Sequence, residues 1–172
     1  MSDAQAKLEQ NQDKKPTGFL SMVIMTGFFG GIFWGFIGYL AYIFNFTEIH
    51  PNVVLDPWAI GNWKKTWLGT VISILFIGGV SIMAALVYYA VLRKFRGSWP
   101  GTIYGALLFL LVFLVLHPIF PGIKPLWELD KNTLITTLCI YLLFGTFVGY
   151  TISYEQEERE YSRRRSVEGG AK

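Results

Sequence analysis

The sequence predicts an all-α polytopic membrane protein in which four transmembrane helices form an antiparallel bundle with both termini in the cytoplasm. Of its 172 residues, 52% are hydrophobic and 16% are charged, whereas soluble domains carry about 25% charged residues. The chain contains four stretches without a charged residue, each longer than the roughly 20 residues that a bilayer span needs. These stretches are residues 16–47, 66–92, 97–123 and 132–154.

The distribution of basic residues sets the predicted orientation. If the N-terminus is cytoplasmic, eleven lysines and arginines lie inside and four lie outside. The inner set is Lys7, Lys14, Lys15, Arg93, Lys94, Arg96, Arg159, Arg163, Arg164, Arg165 and Lys172; the outer set is Lys64, Lys65, Lys124 and Lys131. This asymmetry follows the positive-inside rule and predicts a multi-pass protein of the plasma membrane. Because these charges sit at helix ends, nothing in them requires a nucleic-acid partner.

The predicted organisation has three parts. Residues 1–16 are polar, lack an apolar face and are predicted to be a disordered cytoplasmic tail. Residues 17–154 form the membrane domain, and residues 155–172 form a charged cytoplasmic tail. The four spans are expected at about 18–44, 66–92, 99–117 and 132–154.

The first span carries glycines at every fourth position, namely Gly27, Gly31 and Gly35. In a soluble helix each glycine would cost about 0.5–1 kcal/mol relative to alanine. In lipid the backbone must satisfy its own hydrogen bonds, so the segment stays helical. The three glycines then form a flat face that a second helix can approach closely.

The third span repeats this pattern at its start, with Gly101 and Gly105. It is expected to end at His117, because the following Pro118 disfavours helical geometry in the residue before it.

The fourth span begins where Asp130 or Asn132 can cap it, and it carries Gly145 and Gly149 four residues apart. Favourable i,i+4 ion pairs, such as Glu155 with Arg159, predict that this helix continues beyond the membrane.

The small-residue faces allow two interpretations. They can pack the four helices of one chain against each other, or they can bind another membrane protein or a second copy of this chain. The glycines of the first span are the best candidates for an outside contact, since they extend over more turns. If that hypothesis is correct, a Gly31→Leu substitution weakens the association of this protein with its membrane partner.

The centres of the spans contain no ionisable residue, which argues against proton- or ion-coupled transport. A small permease or channel for a small or hydrophobic solute remains an alternative. Its path would be lined by hydroxyl groups, from the set Ser73, Ser81, Thr136, Thr137 and Thr146.

A third alternative is an enzyme that acts on lipid headgroups at the outer face. His50 and His117 lie in the two outer loops and form a speculative site, provided that the fold brings them together. Their spacing to neighbouring carboxylates matches no metal motif, and the single cysteine, Cys139, is a poor metal site. The sequence therefore predicts no catalytic, metal or cofactor-binding residue with a recognisable motif.

Four short segments resemble the YqhR family of conserved membrane proteins from Bacillus-type bacteria. They are Gly-Phe-Phe-Gly-Gly at 27–31, Gly-Tyr-Leu-Ala-Tyr at 38–42, Phe-Asn-Phe-Thr at 44–47 and Pro-Trp at 57–58. The resemblance covers roughly residues 17–154. It implies a bacterial plasma-membrane protein with about four spans, and it implies no catalytic residues.

The leading functional hypothesis is a non-enzymatic accessory, scaffold or regulatory partner of other membrane proteins. The small-residue faces, the uncharged spans and the lack of room for a soluble domain favour it. Besides lipid, the expected partner is another membrane protein or a second copy of the chain.

Overall fold

In the computed structural model the described residues, 16–57, 61, 66–92, 99–116 and 124–169, form four long helices and one short one. Helix α1 spans Pro16–Ile43, and a 3-10 helix spans Pro51–Leu55. Helix α2 spans Trp67–Leu92, and helix α4 spans Lys131–Gly169. Helix α3 spans Trp99–Leu110 and continues as a π-helix over Leu111–Leu116. The described residues contain no strand.

The ends of α1 and α4 follow local capping chemistry. After α1, Asn45 adopts a left-handed conformation with φ of 59°. The Phe46 N–H donates to the Ala41 carbonyl at 2.8 Å, and the Asn45 N–H donates to the Tyr42 carbonyl at 3.0 Å. This pair of bonds is a Schellman motif, which satisfies carbonyls at the helix C-terminus.

At the start of α4, Asp130 Oδ2 accepts from the Asn132 N–H at 3.2 Å. Asp130 is therefore the cap, rather than Asn132. The helix continues to Gly169 as a single element. Within it, Glu155 Oε1 accepts a hydrogen bond from Arg159 Nε at 2.8 Å. Residues 155–169 of the predicted C-terminal tail thus extend the last helix.

The helices are arranged as two pairs. Helix α1 packs along α2, α3 packs along α4, and α1 also contacts α4 across the centre. We call the end of the bundle that holds the start of α1 and the end of α2 the terminal end. The opposite end, which holds residues 44–57 and 124–130, is the loop end.

The apolar core lies toward the terminal end and joins all four helices. Its fully buried members include Val23 of α1, Tyr88 of α2 and Val148 of α4. Tyr104 of α3 stacks edge-on against Tyr88 with ring centroids 5.2 Å apart, and its hydroxyl donates to the Ala84 carbonyl at 2.6 Å. These contacts bring α2 and α3 together at the terminal end.

Three helical segments are long and apolar enough to cross a membrane: Gly18–Ile43, Trp67–Val91 and Lys131–Ser162. The apolar stretch of α3, Trp99–Val115, is shorter. The expected helical bundle is confirmed. The predicted third span differs from the other three, because its α-helix is short and ends in a π-helical stretch. The predicted N-terminal tail lies outside the described residues except for Pro16, which belongs to α1.

Candidate functional site

The glycines of α1 face α2 of the same chain. A Cβ atom on Gly27 would lie 2.9 Å from the Ala85 Cβ and from the Ser81 carbonyl oxygen. A Cβ on Gly31 would overlap Ser81 and lie 2.9 Å from the Gly78 Cα. Real Cβ atoms do not approach other atoms this closely, so these two positions require glycine.

The glycines of α3 and α4 face each other across an even closer interface. A Cβ atom on Gly145 would lie 2.5 Å from the Gly101 carbonyl oxygen and from backbone atoms of Gly105. A Cβ on Gly149 would lie 2.5 Å from the Gly101 Cα. Because backbone atoms occupy the space, no side-chain rotation can relieve such a contact.

These placements bear on the proposed contact with an outside partner. Helix α2 fills the space beside Gly27 and Gly31, so these two glycines do not form a free surface. A Gly31→Leu substitution would push α1 away from α2, and it would therefore test folding rather than association. Gly35 has more room, since a Cβ there would lie 3.4 Å or more from its neighbours, the closest of which belong to Ile77.

A cavity of about 320 Å³ separates the two helix pairs between the core and the loop end. All four helices and the 44–57 segment contribute to its wall, which is mainly apolar. Its lining residues are Gly31, Trp34, Gly35, Gly38, Thr47, Ile49, His50, Pro51, Val53, Val54, Phe76, Ile77, Val80, Ser81, Ala84, Leu108, Val112, Phe113, Thr137, Ile140, Tyr141 and Phe144.

Among the described residues, the cavity is least covered on the side between α2 and α3. On α2, Phe76 and Val80 line the cavity and are nevertheless 39% and 51% exposed. On the facing side, Val112 and Phe113 of the wall belong to the π-helical stretch. Short π-helical stretches occur frequently at functional sites. Helices α2 and α3 thus meet at the terminal end and flank an opening nearer the loop end.

The 44–57 segment covers the loop end of the cavity, and contacts on both sides hold it there. The Glu48 N–H donates to Thr133 Oγ1 of α4 at 3.0 Å, and the Glu48 carboxylate pairs with Lys124 Nζ at 2.7 Å. That hydrogen bond raises the pKa of Lys124, although both side chains are largely exposed. On the other side, Ser73 Oγ of α2 donates to Asn52 Oδ1 at 3.2 Å.

His50 has a structural role in this segment. Its Nδ1 accepts from the Asn52 N–H at 3.1 Å and caps the 3-10 helix. Its ring lies edge-on to Tyr42, with centroids 4.5 Å apart. Burial lowers the pKa of His50, so the neutral imidazole that accepts this bond is the favoured form at neutral pH.

The other predicted site residues are distributed as follows. His117 lies outside the described residues, so its distance from His50 is not tested. Ser81 and Thr137 line the cavity, whereas Ser73 also donates to the Gly69 carbonyl and Thr146 donates to the Leu142 carbonyl. Within the described part of the chain, no group of three or more His, Cys, Asp or Glu side chains is placed to hold a metal.

Sequence reasoning did not find the cavity, although the position of Trp34 within its span is unusual. Tryptophan is enriched at membrane interfaces, yet Trp34 lies in the middle of an apolar span. A bulky aromatic residue among glycines at mid-membrane depth indicates a local departure from uniform packing. Apart from Ser81, which the sequence predicts as part of a possible solute path, the cavity-lining positions of α2 and α3 are ordinary apolar residues and carry no such signal.

Comparison with known proteins assigns the chain to a family. A family model described as "Conserved membrane protein YqhR" matches residues 3–167. The chain is also 48% identical over 163 residues to "Uncharacterized protein YqhR" of Bacillus subtilis (strain 168), covering 92% of each sequence. No solved structure matches. The chain therefore belongs to the YqhR family of conserved membrane proteins, and the match extends into both tails.

Proposed function

We propose that this member of the YqhR family is a four-span plasma-membrane protein that binds a hydrophobic molecule from the bilayer without catalysing its conversion. The observation that carries the proposal is the 320 Å³ cavity among the four apolar helices. Ligand pockets typically have volumes of about 300–1,000 Å³ and mainly apolar walls. The sequence left a small permease or channel for a small or hydrophobic solute as an alternative; the present proposal keeps the hydrophobic solute but concerns binding and not transport.

The four-span topology rests on the length of α3. Its 12 α-helical and six π-helical residues just exceed the lower limit of about 17 residues for a span. The distribution of basic residues along the sequence supports a cytoplasmic location for both termini. A C-terminal fusion to green fluorescent protein should fluoresce, and a C-terminal alkaline phosphatase fusion should be inactive; the reverse pattern would overturn this topology.

The accessory-protein hypothesis has less structural support than it had from sequence. Its main motivation was the small-residue faces, and Gly27, Gly31, Gly101, Gly105, Gly145 and Gly149 all contact another helix of the same chain. The lipid-headgroup enzyme has no support from His50, whose Nδ1 already caps the 3-10 helix.

Native mass spectrometry of the purified protein tests the proposal with a matched pair of variants. Gly38 lines the cavity, whereas Gly79 is exposed on α2 and does not. A Cβ atom on either glycine would meet no atom within 4 Å. We expect a Gly38→Phe side chain to occupy part of the cavity, because Gly38 lines it and its Cβ would meet no helix atom. Gly79→Phe controls for adding the same group at an exposed site.

We expect the protein and Gly79→Phe to carry a stoichiometric lipid-sized adduct that Gly38→Phe has lost. Overfilling a site costs about 1–3 kcal/mol, so the affinity for the bound molecule should fall about 5- to 150-fold. Equal occupancy in all three proteins, or no adduct in any of them, would overturn the proposal. A stoichiometric second protein in the same complex without a lipid adduct would restore the accessory hypothesis.

A further inference from the structure

The proposed binding role does not specify the ligand or its route of entry. The size of the cavity limits the ligand, and the position of its opening limits the route. An engineered apolar cavity of about 150 Å³ holds one benzene ring, so 320 Å³ corresponds to roughly a dozen carbon atoms. A membrane lipid with two hydrocarbon chains is too large to fit entirely. A single linear chain, or one chain of a two-chain lipid, matches this volume.

The shape of the wall also favours a chain-like ligand. On α2 the lining extends from Phe76 to Ala84, about 12 Å along the helix axis at 1.5 Å per residue. The deep part is closed by Phe144 and Ala84, and the α3 residue that packs there, Leu108, is also apolar. An elongated apolar space of this depth suits a hydrocarbon chain lying roughly parallel to the helices.

The loop end supplies polar groups where such a chain would end. Thr47 and His50 contribute to the wall there, and the Glu48–Lys124 ion pair lies at the surface beside them. A lipid headgroup carries hydrogen-bonding and charged groups that need this kind of surroundings. The charged groups beside the cavity thus lie at its loop end, where the headgroup of an outer-leaflet lipid would be.

The route of entry follows from the opening between α2 and α3. Val80 is half exposed while lining the cavity, and the described parts of α2 and α3 do not pack along their lengths. The 44–57 segment covers the loop end and is held there by its contacts with α4 and Lys124. The lateral opening is continuous with the lipid-facing surface of the bundle.

We infer that the cavity holds one hydrocarbon chain of an outer-leaflet amphiphile, which enters sideways between α2 and α3 with its polar head under the 44–57 segment. This inference rests on the proposed binding function and adds the class of ligand and the path it takes. A free fatty acid and one chain of a phospholipid share this chemistry. A phospholipid would leave its second chain in the bilayer through the lateral opening.

The test uses the full-length protein in vesicles of phosphatidylethanolamine and phosphatidylglycerol. In one arm the vesicles contain a fatty acid with a photoreactive diazirine in mid-chain, and in the other a phospholipid with the same group. After illumination, mass spectrometry locates the labelled residues. We expect labels concentrated on Phe113, Ile140 and Phe144 of the cavity, and the arm that labels them identifies the source of the chain.

A second matched pair tests the route. Val80 and Val87 are both 51% exposed and lie two turns apart on α2, but only Val80 lines the cavity. Val80→Trp should slow labelling of the cavity residues about tenfold by narrowing the opening, as expected for roughly 1.4 kcal/mol of added barrier. Val87→Trp should leave the labelling rate unchanged.

The outcomes separate the inference from the proposed function. If Gly38→Phe removes the bound lipid but Val80→Trp and Val87→Trp label at equal rates, the binding function stands and sideways entry is wrong. Labels spread evenly over lipid-facing residues such as Phe29 and Met83 would show surrounding bilayer lipid only, and would overturn the inference. Loss of labelling in Val80→Trp but not in Val87→Trp supports it.

Discussion

The two ends of the bundle differ in how the same four helices meet. At the terminal end, Tyr88, Tyr104 and Val148 fill the space between the helix pairs, and Gly101 packs directly on Gly145 and Gly149. Toward the loop end the pairs separate around the cavity, and the 44–57 segment spans the gap. The difference shows that close packing of the four helices is concentrated at the terminal end, whereas the space for a ligand lies toward the loop end.

The largest expected effect comes from the α3–α4 interface at the terminal end. Gly145→Ala should destabilise the protein by about 1–3 kcal/mol, since its methyl group would overlap backbone atoms of Gly101 and Gly105. Thermal unfolding in detergent measures this change.

Gly79→Ala is the control for this substitution, because its methyl group meets open space. It should be neutral or slightly stabilising, since alanine favours a helix more than glycine does. Equal melting temperatures for the two variants would contradict the described interface.

An intermediate effect is expected at the contact that joins α2 to α3. Tyr104→Phe removes the hydrogen bond to the Ala84 carbonyl and should cost about 1 kcal/mol. For a chain of this size, that corresponds to a decrease in melting temperature of about 2–4 °C.

The matched control is Tyr150→Phe on α4, where the tyrosine is 57% exposed and its ring stacks on Tyr154. Phenylalanine retains that ring contact, so the melting temperature should change little. If Tyr104→Phe behaved in the same way, the hydroxyl would not contribute to closure of the terminal end.

The smallest expected effect concerns the 44–57 segment and depends on pH. Burial lowers the pKa of His50 in the folded protein, so the unfolded chain binds the proton more readily. The contribution of His50 to the free energy of unfolding is fully present above the unfolded-state pKa of about 6.5. It is lost as the pH falls toward the lowered pKa of the folded protein. The melting temperature should therefore decrease slightly between pH 7.5 and pH 5.

His50→Asn serves as the reference for this measurement. Asparagine does not titrate in this range, and its side-chain oxygen can still accept the Asn52 N–H as a helix cap. The decrease attributable to His50 should be absent in the variant. An identical pH profile for both proteins would assign the dependence to other groups.

The sequence was informative wherever a local rule decides the structure. The charge-free stretches set the four helices, and Asp130 set the start of α4. The i,i+4 pair of Glu155 and Arg159 lies in the continuation of α4 beyond the apolar region. Each of these features depends on neighbours within one or two turns, so a single sequence suffices to recognise it.

The candidate site depended on tertiary structure for the opposite reason. Glycines spaced by four residues give the same flat face whether the second helix belongs to this chain or another one, and only the fold shows α2 against Gly27 and Gly31. The cavity arises where two helix pairs diverge, and its walls combine residues as distant as Trp34 and Phe144. The sequence by itself determined the helices and their membrane character through local hydropathy and charge. The tertiary structure alone decided which faces pack together and where a space remains, because packing depends on long-range fit between apolar surfaces that local patterns do not distinguish.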